Sequence, residues 1–228
     1  MVAVLYDIHG NLPALEAVLD DAGGAGAERF LLGGDYALFG AWPRESVERL
    51  RGLGDDARWI RGNGERWTAA PEEAPDPVRE PIAICRKLLG DDLVEALATL
   101  PEQLTDDGVR YCHGSPVSDV RSFLPEPADD EPELLAGVTE GRLVFGHTHV
   151  QFERQGVGGI ELLNPGSVGM PFDGDHRAAY ALIDDGGAIE LRRVDYDHAA
   201  SAAAVRERLG EAGELHARRI EAAAFVTD

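Results

Sequence analysis

Apolar residues recur along this chain with two periods, and the alternation between them outlines a fold. Val2 to Tyr6 is a short continuous apolar run, the pattern of a strand buried on both faces. From Asn11 to Ala22, Leu12, Leu15, Val18 and Leu19 fall on one helical face, and Gly23, Gly24 and Gly26 end the pattern. Arg29 to Leu32 reads as a second strand. Pro43 suits the first turn of a helix that Val47 and Leu50 continue, and Arg58 to Arg61 reads as a third strand. This β–α–β–α–β opening predicts an α/β fold with a parallel sheet and right-handed crossovers.

The pattern then changes. Glu65 to Leu100 carries Pro71, Pro75, Pro77 and Pro81 before an apolar helical stretch from Ile82, which predicts a loop and two helices. Strands are expected at Val109 to Cys112, Arg142 to Phe145, Val150 to Arg154, Ile160 to Leu163, Ala179 to Ile183 and Ala188 to Val194. Gly156-Val157-Gly158-Gly159 and Asp184-Asp185-Gly186-Gly187 read as hairpin turns, and the acidic stretch Pro125 to Pro132 as an exposed loop. Ala199 to Phe225 reads as a closing helix broken near Gly210 or Gly213. With 228 residues, no internal repeat and no long linker, a single domain over 1–228 is expected, with 66–105 as a helical insertion.

Composition narrows the class. The hydrophobic share of 44% is that of a soluble globular protein. No apolar run approaches the roughly 18 residues that span a bilayer, and the first residues lack the basic and apolar regions of a signal peptide, so a cytoplasmic protein without membrane attachment is expected. The formal net charge of −21 opposes binding to a nucleic acid polymer and leaves a small mobile substrate as the expected partner. Cys85 and Cys112 form no CxxC pair and read as buried free thiols. The oligomeric state is not legible.

The chemistry sits where the strands end. Asp7-Ile8-His9, Gly34-Asp35, Gly62-Asn63, His113 and Gly146-His147-Thr148-His149 follow successive strands. Ligands in open α/β sheets bind beyond the carboxyl ends of strands, so these residues are expected to converge on one edge. Imidazole and carboxylate donors together suit two borderline divalent metals, Mn, Fe, Zn or Ni. Two such metals sharing a carboxylate clamp a phosphoryl group and turn a bridging water into hydroxide at neutral pH.

Asp-x-His, Gly-Asn after Asp-Ile-His, Gly-Gly-Asp, Arg-Gly-Asn, Cys-His-Gly, Gly-His-Thr-His and Asn164-Pro165-Gly166-Ser167, in that order, resemble the calcineurin-like metallophosphoesterases over nearly the whole chain, and most of all the small bacterial and archaeal phosphodiesterases of the YfcE type. The resemblance implies a four-layer α/β/β/α sandwich with mixed sheets and flanking helices. It implies a first metal, Mn above the others, held by Asp7, His9 and His149, a second held by Asn63, His113 and His147, and Asp35 bridging both. Asp35, Asn63, His147 and Asn11 then become the expected catalytic residues of a phosphodiesterase acting on a small phosphate ester or nucleotide. Dinucleoside polyphosphate hydrolysis, protein phosphatase activity and a catalytically weak docking scaffold are the alternatives on the same fold.

One position departs from the family pattern. The third motif usually continues with a histidine that assists the leaving group, but here it reads Gly62-Asn63-Gly64-Glu65. General acid help supplies roughly 10²–10⁴ in rate, so its loss predicts a preference for activated esters or anhydrides, or a substitute such as His176. Asn11, Arg66, His176 and Arg177 are the expected substrate contacts. Asn11 competes with a helix N-cap role, and each arginine with simple surface exposure. Trp67, close to Asn63, is a candidate for contact with a nucleobase.

Overall fold

The computed structural model describes residues 1–227. β1 (Val2–Leu5) is sealed between two layers, as its unbroken apolar run requires. α1 (Leu12–Gly24) starts where the Asn11 side chain accepts from the Ala14 N–H, with Pro13 in the first turn, and it runs through Gly23 and Gly24 instead of stopping before them. β2 (Arg29–Leu32) and β3 (Ala57–Trp59) lie parallel to β1 in the order β1-β2-β3, joined through α2 (Pro43–Arg51). The third strand thus ends before Ile60, earlier than its apolar pattern suggests.

The proline-containing stretch holds more helix than expected. α3 (Asn63–Ala69) begins at the third motif, and α4 (Arg79–Leu89) and α5 (Asp91–Ala98) follow two short 3₁₀ turns. β4 (Gln103–Asp106), which the sequence pattern does not reveal, is a short polar edge strand antiparallel to β5 (Val109–Cys112). Residues 103–105 therefore belong to a sheet rather than to the helical segment.

β4 and β5 open a second sheet of order β4-β5-β6-β8-β7, containing β6 (Arg142–Val144), β7 (Phe152–Gln155) and β8 (Glu161–Asn164). β5, β6 and β8 are parallel, while β7 is antiparallel to β8. β9 (Ala178–Ile183) and β10 (Ile189–Val194) complete the first sheet as β10-β9-β1-β2-β3. Both sheets are mixed.

Three cores account for the layers. Val4, Tyr6, Leu31 and Ile60 of the first sheet and its strand ends meet Tyr111, Val144 and Leu163 of the second, so the sheets pack face to face. The other face of the first sheet buries Ala3, Leu5 and Leu32 under Leu15, Val18, Val47, Ile82 and Leu93 of the helices. The outer face of the second sheet places Leu143, Phe145 and Leu162 against Phe123 and Leu134. That fourth layer is thin: it consists of the 115–138 segment and α6 (Glu131–Leu134), which begins inside the stretch expected to be a loop. The arrangement is the mixed, helix-flanked sandwich anticipated from the motifs. At the end of the chain, α7 (His198–Leu209) and α8 (Glu214–Ala222) are separated by a 3₁₀ turn over Gly210–Gly213, so both glycines fall in the break.

Candidate metal centre

Every motif follows a strand of one of the two sheets and is directed to their common carboxyl edge. Asp7 and His9 follow β1, Asp35 follows β2, Asn63 opens α3 after β3, His113 follows β5, and His147 and His149 follow β6. Turning a side chain back across the strand end demands unusual backbone. Asp7, His9, Asp35, His147 and His149 all take positive φ, from 50° to 68°. A non-glycine residue there is uncommon and costs of order 1–2 kcal/mol, so five at one edge mark a functional strain rather than ordinary turns. Gly34 (φ 97°) explains its own identity: a Cβ there would lie 2.5 Å from the Gly62 nitrogen.

The side chains meet in two groups, Asp7–His9–His149 and Asp7–Asp35–His113, each with one donor atom per residue within 4.8 Å of the others. Three imidazoles are oriented alike. His9 Nδ1 lies 2.9 Å from the Leu38 carbonyl, His113 Nδ1 2.9 Å from that of Gly33, and His149 Nδ1 2.6 Å from that of Met170. A carbonyl accepts only from N–H, so in each neutral ring Nε2 carries the lone pair. The three Nε2 atoms then converge on Asp7 Oδ1, at 3.9 Å (His9), 3.7 Å (His113) and 3.5 Å (His149). That oxygen is buried and, among the described residues, accepts no hydrogen bond.

His9 Nε2 and His149 Nε2 are only 3.0 Å apart. Two lone pairs so close repel unless a cation lies between them. Asp35 reaches both groups, with Oδ2 3.9 Å from His9 Nε2 and Oδ1 3.5 Å from His113 Nε2. One end of the Asn63 amide lies 2.9 Å from His147 Nδ1 and 3.1 Å from His113 Nε2. Turned one way, the amide nitrogen donates to both rings; turned the other, Oδ1 joins them as a third lone-pair donor around a cation. The donor set therefore fits a pair of divalent metals.

Charge distribution supports the same view. Burial alone would raise Asp7, but the imidazoles of His149, His113 and His9 override it and hold the carboxyl below the usual carboxylate range. Burial, with Glu65 and Asp7 beside it, raises Asp35. Burial lowers His9 to about 3 and His147 to about 4, so both rings are neutral and ready to ligate. Burial opposes charge on His113 as well, yet Asp35 and Asp7 outweigh it and push the ring up to about 9. A divalent cation held by these residues would take the place of that proton.

Residues behind the candidate ligands set their positions. Ser167 Oγ donates to the Asp7 carbonyl (2.7 Å) and accepts from Met170 N–H. Asn164 donates to Thr148 Oγ1 (2.9 Å) and to the Gly146 carbonyl, which ties down the Gly-His-Thr-His loop. Glu65, buried, accepts from three backbone N–H groups, those of Asp35, Tyr36 and Gly62, each at 2.8 Å. It clamps the second motif to the third. Glu65 was not among the expected site residues, although a glutamate at the third helical position after a turn is a recognisable capping signal.

The expected substrate contacts do not assemble at this centre. Asn11 is buried behind it, donating to the Gly169 carbonyl and Tyr196 and accepting from Ser201 and Ala14 N–H. Arg66 lines a neighbouring pocket with Arg61 and His113, and its guanidinium is held by Asp119 and Glu73. His176 and Arg177 line another pocket, where His176 stacks on His198 and contacts the Glu221 carbonyl, and Arg177 pairs with Asp175. The cleft over His9, Asp35, Asn63, His147 and His149 is lined instead by Phe39, Trp67, Phe172, Arg219 and Phe225.

Gly64 has a local cause. Its N–H donates to Asp35 Oδ1 (2.7 Å), and a Cβ at this position would lie 2.8 Å from the same oxygen. We therefore expect Gly64→Ala to weaken Mn²⁺ binding about ten- to hundredfold, as loss of supporting contacts around ligands does, read by competition with a chelator. An unchanged affinity would mean that the Asp35 carboxylate has room to spare.

His216, on α8, stacks on Phe39 with ring centroids 4.1 Å apart. Burial, aided by the Arg219 charge, lowers it to about 3. The unfolded chain takes up this proton near pH 6.5 while the folded one does not, so stability falls as pH drops from 6.5 towards 3. His216→Phe should flatten the decline in unfolding free energy over that window by up to about 1.4 kcal/mol per pH unit, as read by urea titrations at several pH values. An unaltered slope would assign the acid sensitivity elsewhere.

Fold and centre together define a metal-dependent phosphoesterase architecture. The family model of the calcineurin-like phosphoesterase superfamily domain matches residues 1–186, and the chain belongs to that superfamily. Among individual proteins, it is 32% identical over 223 residues to the uncharacterized protein MJ0912 of Methanocaldococcus jannaschii, covering 86% of this chain and 88% of that one. It is 28% identical over 192 residues to phosphodiesterase YfcE of Escherichia coli, covering 78% and 84%. The crystal structure of a metallophosphoesterase from Sphaerobacter thermophilus superposes with a TM-score of 0.80 at 27% identity, over 98% of this chain and 99% of that one. No helix among the described residues is long and apolar enough to cross a membrane.

Proposed function

We propose that the protein is a dinuclear metal-dependent phosphodiesterase acting on a small phosphate ester, with Mn²⁺ as the favoured metal. The observation that carries the reading is the convergence of the Nε2 atoms of His9, His113 and His149 on the buried, otherwise unpaired Asp7 Oδ1. Asp7, His9 and His149 would hold one metal, and Asn63, His113 and His147 the other, with Asp35 between them. Bound there, the metals supply Lewis acidity and activate water for attack on phosphorus.

The chain's own residues prepare that chemistry. Carbonyls of Leu38, Gly33 and Met170 hold the Nδ1 atoms of His9, His113 and His149, so Nε2 is the atom each ring turns to the centre, and His113, pushed up to about 9, would give up its Nε2 proton as a metal binds. Asp7 and Asp35 place two carboxylates at the centre, which favours cations over the anionic substrate until both metals are bound. The Asn63 amide and the His147 ring flank the cleft and are placed to meet phosphate oxygens or the second metal. Position 64 has no side chain to protonate a leaving group, and His176 lies in another pocket. Good leaving groups, as in aryl esters and anhydrides, are therefore favoured over alkoxides.

Hydrolysis of bis(p-nitrophenyl) phosphate should require added Mn²⁺ or Ni²⁺ and stop with EDTA, and dialkyl phosphates should be turned over at least about 10²-fold more slowly. Turnover that survives exhaustive chelation would overturn the metal reading. Equal rates on alkyl and aryl diesters would overturn the leaving-group argument alone.

A further inference from the structure

The cleft over the metal ligands is wider and more aromatic than a phosphate alone requires. As an open cleft it offers about 600 Å³. Phosphate recognition calls for cations and N–H groups, yet Phe39, Trp67, Phe172 and Phe225 line this space. The aromatic rings continue outward from the ligands. Phe172 stacks on the His149 ring (4.3 Å, 19° between planes), and Phe225 meets Phe172 edge-on at 5.5 Å. The Arg219 guanidinium lies over the Phe225 ring at 4.3 Å.

Two features mark these rings as more than packing. Phe39 is held at φ 80°, where a bulky residue is a genuine outlier. Phe225 is 64% exposed, more than any other large hydrophobic side chain among the described residues, although it sits at the mouth of a charged centre. An exposed aromatic ring with a guanidinium on it is a platform for a flat, polarisable group.

Resting on the phosphodiesterase reading, we infer that the substrate carries a nucleobase, which stacks in the cleft formed by Trp67, Phe172 and the Arg219–Phe225 pair while its phosphate lies on the metal side. Trp67 comes from α3 and Phe225 from the segment after α8, so the closing helices serve as the specificity wall of the site. Stacking tolerates any base, so the class is a nucleotide-type diester or anhydride without strong base preference.

Adenosine 5′-monophosphate and ribose 5-phosphate share the sugar and the 5′-phosphate and differ in carrying a base or a hydroxyl at C1′, which makes them the probes. Calorimetric titration of the Mn-loaded protein should give a Kd for the nucleotide about five- to hundredfold below that for the sugar phosphate. Phe225→Ala and Trp67→Ala should each erode that ratio, and Phe225→Trp should keep it. Equal affinity for the two ligands, or a Phe225→Ala variant that weakens both alike, would overturn the inference. So would binding of neither while bis(p-nitrophenyl) phosphate is still hydrolysed. A preserved preference for the nucleotide in a protein that hydrolyses no diester would instead uphold the base cleft and sink the phosphodiesterase reading.

Discussion

Asp7→Asn is expected to remove diesterase activity by at least about 10³-fold while the protein remains folded, because Asp7 is the carboxylate that would hold the first metal with His9 and His149. Asp7 Oδ1 faces three imidazole nitrogens, and Oδ2 accepts from the His147 N–H at 3.0 Å. An asparagine keeps the shape but loses the charge that favours two cations here. It also places either an N–H₂ or a neutral oxygen against lone pairs. The imidazoles hold the Asp7 carboxyl below the usual carboxylate range, so its charge stabilises the metal-free fold at neutral pH, and the variant should melt somewhat lower than metal-free wild type while still unfolding cooperatively. Circular dichroism melting and kcat with saturating Mn²⁺ check both halves. Activity within tenfold of wild type would show that Asp7 holds no metal the reaction needs.

Glu65→Ala is expected to have the largest effect on stability of any single change near the site. It strands the buried N–H groups of Asp35, Tyr36 and Gly62, each of which loses an acceptor at 2.8 Å. An unsatisfied buried donor costs about 1–3 kcal/mol, so the loss should reach about 3 kcal/mol or more. The Asp35 loop is also freed, so metal affinity should fall in parallel. Glu65→Gln keeps one accepting oxygen and should lose less. Urea unfolding of the three proteins measures this, and a change below about 1 kcal/mol for the alanine variant would mean that water takes over the clamp.

The convergence of the candidate ligand residues was legible because each is a polar residue placed just after an apolar strand, a position whose direction the chain itself determines. The strands β1, β2, β5 and β6 could be read for the same reason: their apolar runs are buried on both sides. β4 could not, because Gln103-Leu104-Thr105-Asp106 is a polar edge strand held by pairing with β5, not by its own pattern. The end of α1 was placed early because tertiary burial of Ala22 outweighs the helix-breaking tendency of Gly23 and Gly24.

Substrate contacts were the least legible part. Asn11, Arg66, His176 and Arg177 have the right chemistry for phosphate, but each is spent on a neighbour: Gly169 and Ser201, Asp119, Glu221 and Asp175 respectively. Phe172 and Phe225 are far apart in sequence and look like ordinary core residues in a linear pattern. Only the folded chain brings them to one cleft, since Phe172 follows β8 and Phe225 follows α8.

The proposed activity depends on two metals occupying one set of donors joined by Asp35. Titrating metal-free protein with Mn²⁺, while following bound metal and turnover of bis(p-nitrophenyl) phosphate in the same samples, tests it most directly. Two ions per chain are expected, with most of the activity appearing only as the second binds, and a loss of that second step in Asp35→Asn. One ion per chain with full activity, or activity with none, would contradict it.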